Sequence, residues 1–517
     1  MIIDRRRASA VPPARRGLRL ETWLGCLSAA AAAAAWLFYL QQDAVLSHYD
    51  AKAHLVVARR VIDNITPGWQ QIGAVWLPLP HLIQVLPVQV DLLYRTGAFG
   101  SLVSIASFGV TVWAAARLIL HVSASRLAAG TAAAILVLNP NLLYLSATPM
   151  TEPLLAACSL VSVLWLYEWT QADRDDVPGR LGWLLFATAW TRYEAWPLLA
   201  AALAAVSLVH WLRGAAVPSI GLRLWRLARW PAAAVALFLL NSRATVGAWF
   251  VSSGFFEPDP MYAGEAWRSL LAIWWGTHQL SGYVVEIVAL GVAGVALVQA
   301  LTRRADPARL IPAALFAAAL LPFAAFHDGH PFRIRYMVPM VVACAVWAGL
   351  AVGAAASAAR SGAAPARARS LLPGLAAALL LGSTLIESPP WMEHPPLVSE
   401  ALWDVPMSLN RRAVTACLDG YAGEKIAASM GSLAHYMQEL SWSGLDLSDF
   451  VHEGTGGIWT EMLATRPALH AGWMLVEEQS EGGDVLARRI RDDPQFTGGM
   501  RRVCEGGGVA LYRRDRA

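Results

Sequence analysis

Ser47-His48-Tyr49-Asp50-Ala51-Lys52-Ala53-His54 follows the first long apolar run of the chain by only a few residues. It opens an amphipathic stretch, Asp50 to Asn64, which leads into Pro67-Gly68-Trp69 and then Trp76-Leu77-Pro78-Leu79-Pro80-His81. A carboxylate pinned at a membrane surface, with His and Tyr beside it and Trp beyond, suits proton abstraction from a polar substrate held against the bilayer. Asp50 also fits as the cap of the helix that starts there. Both roles can hold at once, so the rest of the chain has to decide.

Working outward, the composition sets the environment. Of 517 residues, 56% are hydrophobic and 15% charged, and the mean hydropathy is +0.44. That is too apolar for a soluble chain of this length and implies repeated membrane spans. The formal net charge of +4 matters less than its placement. Arginines cluster at Arg5-Arg6-Arg7, Arg15-Arg16 and Arg19, at Arg213, Arg223, Arg226 and Arg229, at Arg303-Arg304 with Arg309, and at Arg360 with Arg367 and Arg369. Short basic loops mark the cytoplasmic side. No basic-aromatic surface of nucleic-acid type is present, which removes nucleic acid as a partner. Cys26, Cys158 and Cys344 sit in apolar runs and read as inert. Cys417 and Cys504 fall in the polar C-terminal part, where either a disulfide or two free thiols fits.

Runs long enough to cross a bilayer are predicted at 21–40, 98–120, 127–144, 153–169, 181–190, 196–212, 230–248, 281–301, 310–326, 336–356 and 370–386, about eleven by the hydropathy rule. The first resembles a signal peptide but is too long for one, and reads as an uncleaved helix. With the N-terminus inside, alternation places every arginine cluster in the cytoplasm. The loops holding Asp50, Glu152, Arg192-Tyr193-Glu194, Glu257 and His327 to Arg335 then fall on the opposite side. Two Pro-broken apolar stretches, 75–94 and 255–275, read as helices along the outer membrane surface, with Trp69, Trp76, Trp267, Trp274 and Trp275 as anchors. Residues 353–368 read as a flexible cytoplasmic loop.

From Glu387 the composition becomes that of a soluble unit. Strands are predicted at 425–429, 445–450, 472–477 and around Val503 and 509–512, alternating with helices at 432–440, 458–464 and 484–491. That is a small α/β domain, with Gly506-Gly507-Gly508 as a hairpin turn. The expected architecture is thus an all-α polytopic membrane bundle over 1–386 and an extracytoplasmic α/β domain over 387–517.

Ionisable residues gathered at one membrane face mark a site in a polytopic protein. Here that set is Asp50, His54, His81, Glu152, Arg192, Tyr193, Glu194, His327, Asp328, His330, Arg333, Arg335 and Tyr336. Four segments of this set carry a family resemblance. They are the acidic first outer loop, Thr148-Pro149-Met150-Thr151-Glu152-Pro153, Ala189-Trp190-Thr191-Arg192-Tyr193-Glu194-Ala195-Trp196 and Gly329-His330-Pro331-Phe332-Arg333-Ile334-Arg335-Tyr336-Met337-Val338-Pro339. In order and sidedness they resemble the GT-C superfamily of integral-membrane glycosyltransferases, the group with the protein O-mannosyltransferases and the lipid A aminoarabinose transferase. The resemblance covers the helical part and is weakest in the C-terminal part. It implies a GT-C-like fold, a polyprenyl-phosphate sugar donor and inversion by single displacement. The Trp-Trp-Asp-Tyr-Gly signature of oligosaccharyltransferases is absent, since Trp274-Trp275 precede Gly276-Thr277.

The chemistry of such a transfer assigns roles by itself. An acceptor hydroxyl must lose a proton as it attacks the anomeric carbon, and Asp50 is the expected base, with Glu152 the second catalytic carboxylate. The leaving lipid phosphate gains charge, which Arg192, Arg333 and Arg335 can take as bidentate partners. His54, His81, Tyr193, Glu194, His330 and Tyr336 are expected to bind substrate. Competing roles stay open: Glu152 as a cap, Arg192–Glu194 as a buried pair, Arg333 and Arg335 as snorkelling interfacial groups. His435, His452 and Glu453 either reach over the cavity to the acceptor or are surface groups. His327-Asp328 with His330 has metal-ligand residue types at a spacing that fits no standard pattern, so neither a metal nor another cofactor is expected.

The expected function is a membrane glycosyltransferase moving a hexose or pentose from a polyprenyl-phosphate donor to a glycan, lipid or protein acceptor at the outer face of a bacterial inner membrane. The alternative is a multi-pass transporter or flippase for a lipid-linked or anionic substrate. A transporter places ionisable residues near the midplane and often shows related halves; neither is seen here.

Overall fold

The structure, a computed structural model, describes residues 19–251, 258–361, 371–418, 421–479 and 483–515. The expectations placed on Arg5–Arg7, Arg15-Arg16, Glu257, Arg367 and Arg369 concern positions outside the described residues.

Among the described residues, seven helices are long and apolar enough to cross a membrane: Leu20–Gln41, Ala98–Ser123, Glu152–Gln171, Ala195–Leu212, Tyr283–Leu301, Pro307–His327 and Ile334–Arg360. The chain is a multi-pass membrane protein by this measure. Ile334–Arg360 is the axis of the bundle, with 89% of its apolar window buried, against 17% for Leu20–Gln41 at the periphery. Small residues set the close approaches. A Cβ added at Gly25 would lie 2.9 Å from the Gly109 carbonyl, and one added at Gly109 would lie 2.9 Å from the Ala29 methyl. Gly349 meets Ile119 and Ala132 in the same way, and Gly353 meets Ser123. Inside a bilayer there is no hydrophobic drive between helices, so such backbone approach supplies the packing.

Three expectations need correction. The predicted crossing at 127–144 is broken: Arg126–Leu138 and Pro140–Ser146 meet at 71°. Pro140 lacks a backbone N–H and cannot continue the first helix, and Asn139 caps the second by accepting from the N–H groups of Asn141 and Leu142. The predicted crossing at 230–248 is the end of a longer helix, Val217–Val246, which takes in Arg223, Arg226 and Arg229. Hydropathy stops at the arginines, whereas helix propensity does not. The loop expected from Gly353 is helical as far as Ser361, because its Ala-rich sequence favours helix. Gly179–Ala189, Val217–Val246 and Leu372–Glu387 do not meet the length-and-hydropathy criterion, so the count among the described residues is seven, or eight with the bent pair as one span.

Residues 75–94 form short pieces, Leu79–Gln84, Pro87–Gln89 and Asp91–Thr96. Beyond Glu387 come two helices not read from the sequence, Pro396–Leu402 and Val405–Ala416. A five-stranded sheet follows: β1 Ile426–Ala428, β2 Phe450–Val451, β3 Trp473–Glu477, β4 Met500–Gly506 and β5 Val509–Arg514, in the order β2-β1-β3-β5-β4. β1 runs parallel to β2 and β3, while β5 is antiparallel to β3 and β4. The predicted strand at 445–450 is mostly a 3-10 turn, Leu447–Asp449, closed by a capping box between Asp446 and Asp449. Cys417 and Cys504 are disulfide-bonded.

The amphipathic stretch is the helix Tyr49–Arg59, and Asp50 to Arg59 are all buried. Its apolar residues Ala53, Leu55, Val56 and Ala58 share a core with Leu433, Met437, Leu440, Trp473 and Leu511 of the C-terminal part. Lys52 is satisfied across this seam by Glu439 at 2.6 Å.

Candidate active site

The helix Tyr49–Arg59 is capped by His48, whose Nδ1 accepts from the backbone N–H of Asp50 at 3.1 Å. Asp50 is therefore in the first turn with its carboxylate free for other work, and the capping role passes to its neighbour. His48 Nε2 lies 2.9 Å from Arg335 Nη1 and 3.6 Å from Glu400.

Arg335 reaches Asp50 from the start of the central helix. Its Nη2 donates to Asp50 Oδ2 at 2.5 Å, its Nη1 lies 3.3 Å from Glu400, and its Nε lies 3.8 Å from Glu152. Both side chains are buried. Burial by itself would raise the Asp50 pKa, but the Arg335 guanidinium, helped by His48, outweighs it and holds the carboxyl at about 2. A second guanidinium stands beside the first. Arg192 clasps Glu194 with Nε and Nη2 (2.8 Å at the closest), donates to Thr151 Oγ1 at 2.8 Å and lies 3.0 Å from Glu152. Glu152 and Glu194 together raise the Arg192 pKa against the opposing effect of burial. Thus Asp50, Glu152, Glu194 and Glu400 surround Arg192 and Arg335, the six residues coming from five distant segments of the chain.

Asp50, Glu194 and the two arginines edge a cavity of about 1680 Å³ between the bundle and the C-terminal part. Asp50, His54, His81, Arg192, Tyr193, Glu194, His330, Arg333, Arg335 and Tyr336 all line it. Glu152 does not: it is 1% exposed and sits behind the two guanidiniums. It touches the site only through them, and its first-turn position caps nothing, the N-cap being Thr151.

One turn beyond Asp50, His54 shares its helix face. Leu77 O can only accept, so His81 Nδ1 donates to it at 3.2 Å, and His81 Nε2 accepts from His54 Nδ1 at 3.0 Å. His54 Nε2 is left as an acceptor. Burial lowers both pKa values, that of His81 to about 3, and keeps both rings neutral. Trp76 packs on His54 with ring centroids 4.3 Å apart. His330 Nδ1 donates to Pro331 O at 2.7 Å and its Nε2 lies 3.3 Å from the Tyr336 hydroxyl. Tyr193 donates to Val75 O at 3.0 Å. Arg333 Nη1 donates to Phe332 O at 3.2 Å. Among the described residues, no group of three or more His, Cys, Asp and Glu is placed to hold a metal ion.

The C-terminal part closes the far side. His435 and Glu453, read as uncertain contributors, line the cavity, whereas His452 is buried in the fold behind it. Three participants were not found from the sequence: His48, Glu400 and Thr151. His48 stood in the quoted stretch but gave no sign of a capping role. Glu400 lies on Pro396–Leu402, a short helix of a segment read as outside the site. No spacing links it to Arg335; only the fold does.

No protein-family model and no curated protein matches the chain. Two solved structures of ArnT from Cupriavidus metallidurans do match, both 13% identical. The one bound to undecaprenyl phosphate aligns with a TM-score of 0.55 over 95% of this chain and 98% of that one. The apo state aligns at 0.51 over 96% and 98%. At this identity the likeness is one of fold alone.

Proposed function

We propose, from a GT-C fold shared with a protein solved with undecaprenyl phosphate, that this chain transfers a sugar from a polyprenyl-phosphate donor to an acceptor hydroxyl, Asp50 serving as general base. One observation carries the reading. A buried carboxylate, one buried guanidinium and one half-buried guanidinium, Asp50, Arg335 and Arg192, face one cavity large enough for both substrates.

The acceptor oxygen attacks the anomeric carbon, the bond from that carbon to the phosphate oxygen breaks, and the hydroxyl proton passes to Asp50. The electron pair leaves with the polyprenyl phosphate, whose growing charge is met by Arg192 and Arg335. A carboxylate at about 2 is a weak base. The donor phosphate corrects this as it binds, because it competes with Asp50 for the Nη2 of Arg335 and lets the Asp50 pKa rise toward that of a useful base. Single displacement inverts the anomeric centre, and the sugar is a hexose or pentose. Glu152 and Glu194 hold the guanidiniums in register.

The Cys417–Cys504 disulfide supports an oxidising, extracytoplasmic location for the C-terminal part, and with it a site on the outer face of the inner membrane. The test is transfer from a radiolabelled panel of polyprenyl-phosphate sugars in membranes. Wild type should transfer label, and Asp50→Asn, which keeps the shape but cannot take the proton, should lose at least about 100-fold. An equally active Asp50→Asn would remove the base assignment, and a wild type that uses no donor would return the chain to the transporter reading.

A further inference from the structure

Arg335 is held from two sides. Its Nη2 is bonded to Asp50, and its Nη1 lies 3.3 Å from Glu400 Oε1. The other oxygen of Glu400 accepts from the Ile334 N–H at 2.7 Å, so one carboxylate fixes both the guanidinium and the backbone that leads into it. Oε1 also lies 3.6 Å from Nε2 of His48, which caps the helix of Asp50. Glu400 itself does not line the cavity, whereas Asp50 and Arg335 do. Its side chain is 19% exposed. Burial would raise its pKa, but His48 and Arg335 beside it outweigh that and hold the carboxyl low, so it carries its charge at neutral pH.

The helix that carries Glu400, Pro396–Leu402, comes after the change of composition at Glu387, yet it packs with the bundle. Leu397, Val398 and Ala401 belong to the bundle core. The Leu397 N–H donates to Asn141 Oδ1 at 3.0 Å, and Asn141 stands on Pro140–Ser146, the short helix that leads to Thr151 and Glu152. The helix is thus bolted to the Glu152 side at its start, and one turn later Glu400 bonds the Arg335 side. A group anchored in this way is pre-organised for its partner. That matters once a donor phosphate draws Nη2 of Arg335 away from Asp50. Glu152 lies 3.8 Å from Nε, beyond hydrogen-bond range. His48 Nε2, 2.9 Å from Nη1, brings no negative charge. The rings of Tyr336 and Tyr49 flank the guanidinium at 5.4 and 5.7 Å without fixing its direction. Glu400 is the carboxylate that keeps a hydrogen bond to it.

We propose that Glu400 is a positioning residue, which keeps Arg335 aimed at the leaving phosphate when Nη2 passes from Asp50 to the donor. Its carboxylate acts without touching substrate, by retaining Nη1 and the Ile334 N–H while the other edge of the guanidinium changes partner. Its charge also competes with the phosphate for that guanidinium, which loosens the hold on the polyprenyl phosphate product. The inference rests on the transferase reading and adds to it a residue from beyond the membrane-spanning helices.

The test uses the purified full chain in nanodiscs and compares wild type with Glu400→Ala, Glu400→Gln and Ser399→Ala, the last an exposed neighbour on the same helix. Transfer is followed with the donor of the radiolabelled panel that wild type uses, and affinity for undecaprenyl phosphate is measured on the same samples. Glu400→Ala should lose about 10- to 100-fold in kcat, the effect of misplacing a group by about 1 Å. It should still bind undecaprenyl phosphate at least as tightly as wild type, because a competing charge has gone. Glu400→Gln keeps an oxygen for the Ile334 N–H. It should recover most of the lost kcat and bind undecaprenyl phosphate about threefold tighter than wild type. Ser399→Ala should match wild type. A fully active Glu400→Ala, a Gln variant no better than Ala, or kcat and phosphate affinity falling together would overturn the proposal, the last being what a merely structural role gives. A wild type that transfers from no donor would remove the transferase reading itself, and this proposal with it.

Discussion

At the scale of single residues, the Asp50–Arg335 pair governs both the chemistry and its pH dependence. The folded-state pKa of Asp50, about 2, lies below the ordinary carboxylate value. Its contribution to stability is therefore complete above roughly pH 4 and lost as pH falls through about 2. For catalysis, kcat/KM reports the free enzyme, so Asp50 should impose no acid limb between about pH 5 and 8. In Arg335→Gln, burial acts on Asp50 against only the weaker pull of His48, His54 and Arg192. The limb should then move up into that window, on an activity at least about 100-fold lower. A wild-type limb near pH 6 that responds to Arg335→Gln in the opposite sense would contradict this reading.

At the scale of elements, two short segments decide how the site is built. Tyr49–Arg59 is amphipathic in sequence, yet it is covered on all sides because the helix Met430–Leu440 and the C-terminal sheet pack on the face expected at the membrane surface. The bend at Asn139-Pro140 turns the chain toward the loop that carries Thr151 and Glu152. Asn139 accepts from the Asn141 and Leu142 N–H groups and donates to Leu280 O at 2.6 Å. Asn139→Ala should cost about 1–2 kcal/mol, the range for a lost N-cap, measured as a lower thermal unfolding midpoint in detergent. An unchanged midpoint would mean that the bend is held by Pro140 alone.

At the scale of the whole molecule, the bundle and the C-terminal part share one cavity and one buried seam, so the integrity of one bears on the site of the other. The Cys417–Cys504 disulfide ties the end of Val405–Ala416 to β4 across 87 residues of chain. Cys504→Ser should destabilise the C-terminal part by about 2–4 kcal/mol, seen as earlier proteolysis and a lower unfolding midpoint. If reducing agent leaves the wild-type midpoint unchanged, the bond does not form in the protein as purified.

The sequence by itself determined the membrane-bound, mostly helical class, the alternating α/β signal after residue 387, and the residue types of the site. Each of these is written locally, in hydropathy windows, in period and in turn chemistry. It also brought Asp50, Arg192, Glu194 and Arg335 onto one list, because ionisable residues at a membrane face need a reason to be there. Only the tertiary structure decided which of them touch. Arg335 bonds to Asp50 while Glu152 is withdrawn behind the guanidiniums. Glu400 enters from a segment with no motif, and His48 takes the cap that Asp50 could have held. These outcomes depend on which helices pass within a hydrogen bond of each other, and that is set by small residues such as Gly25, Gly109 and Gly349 and by the seam over Tyr49–Arg59. A contact of that kind is a property of two distant segments together, and neither segment carries it alone.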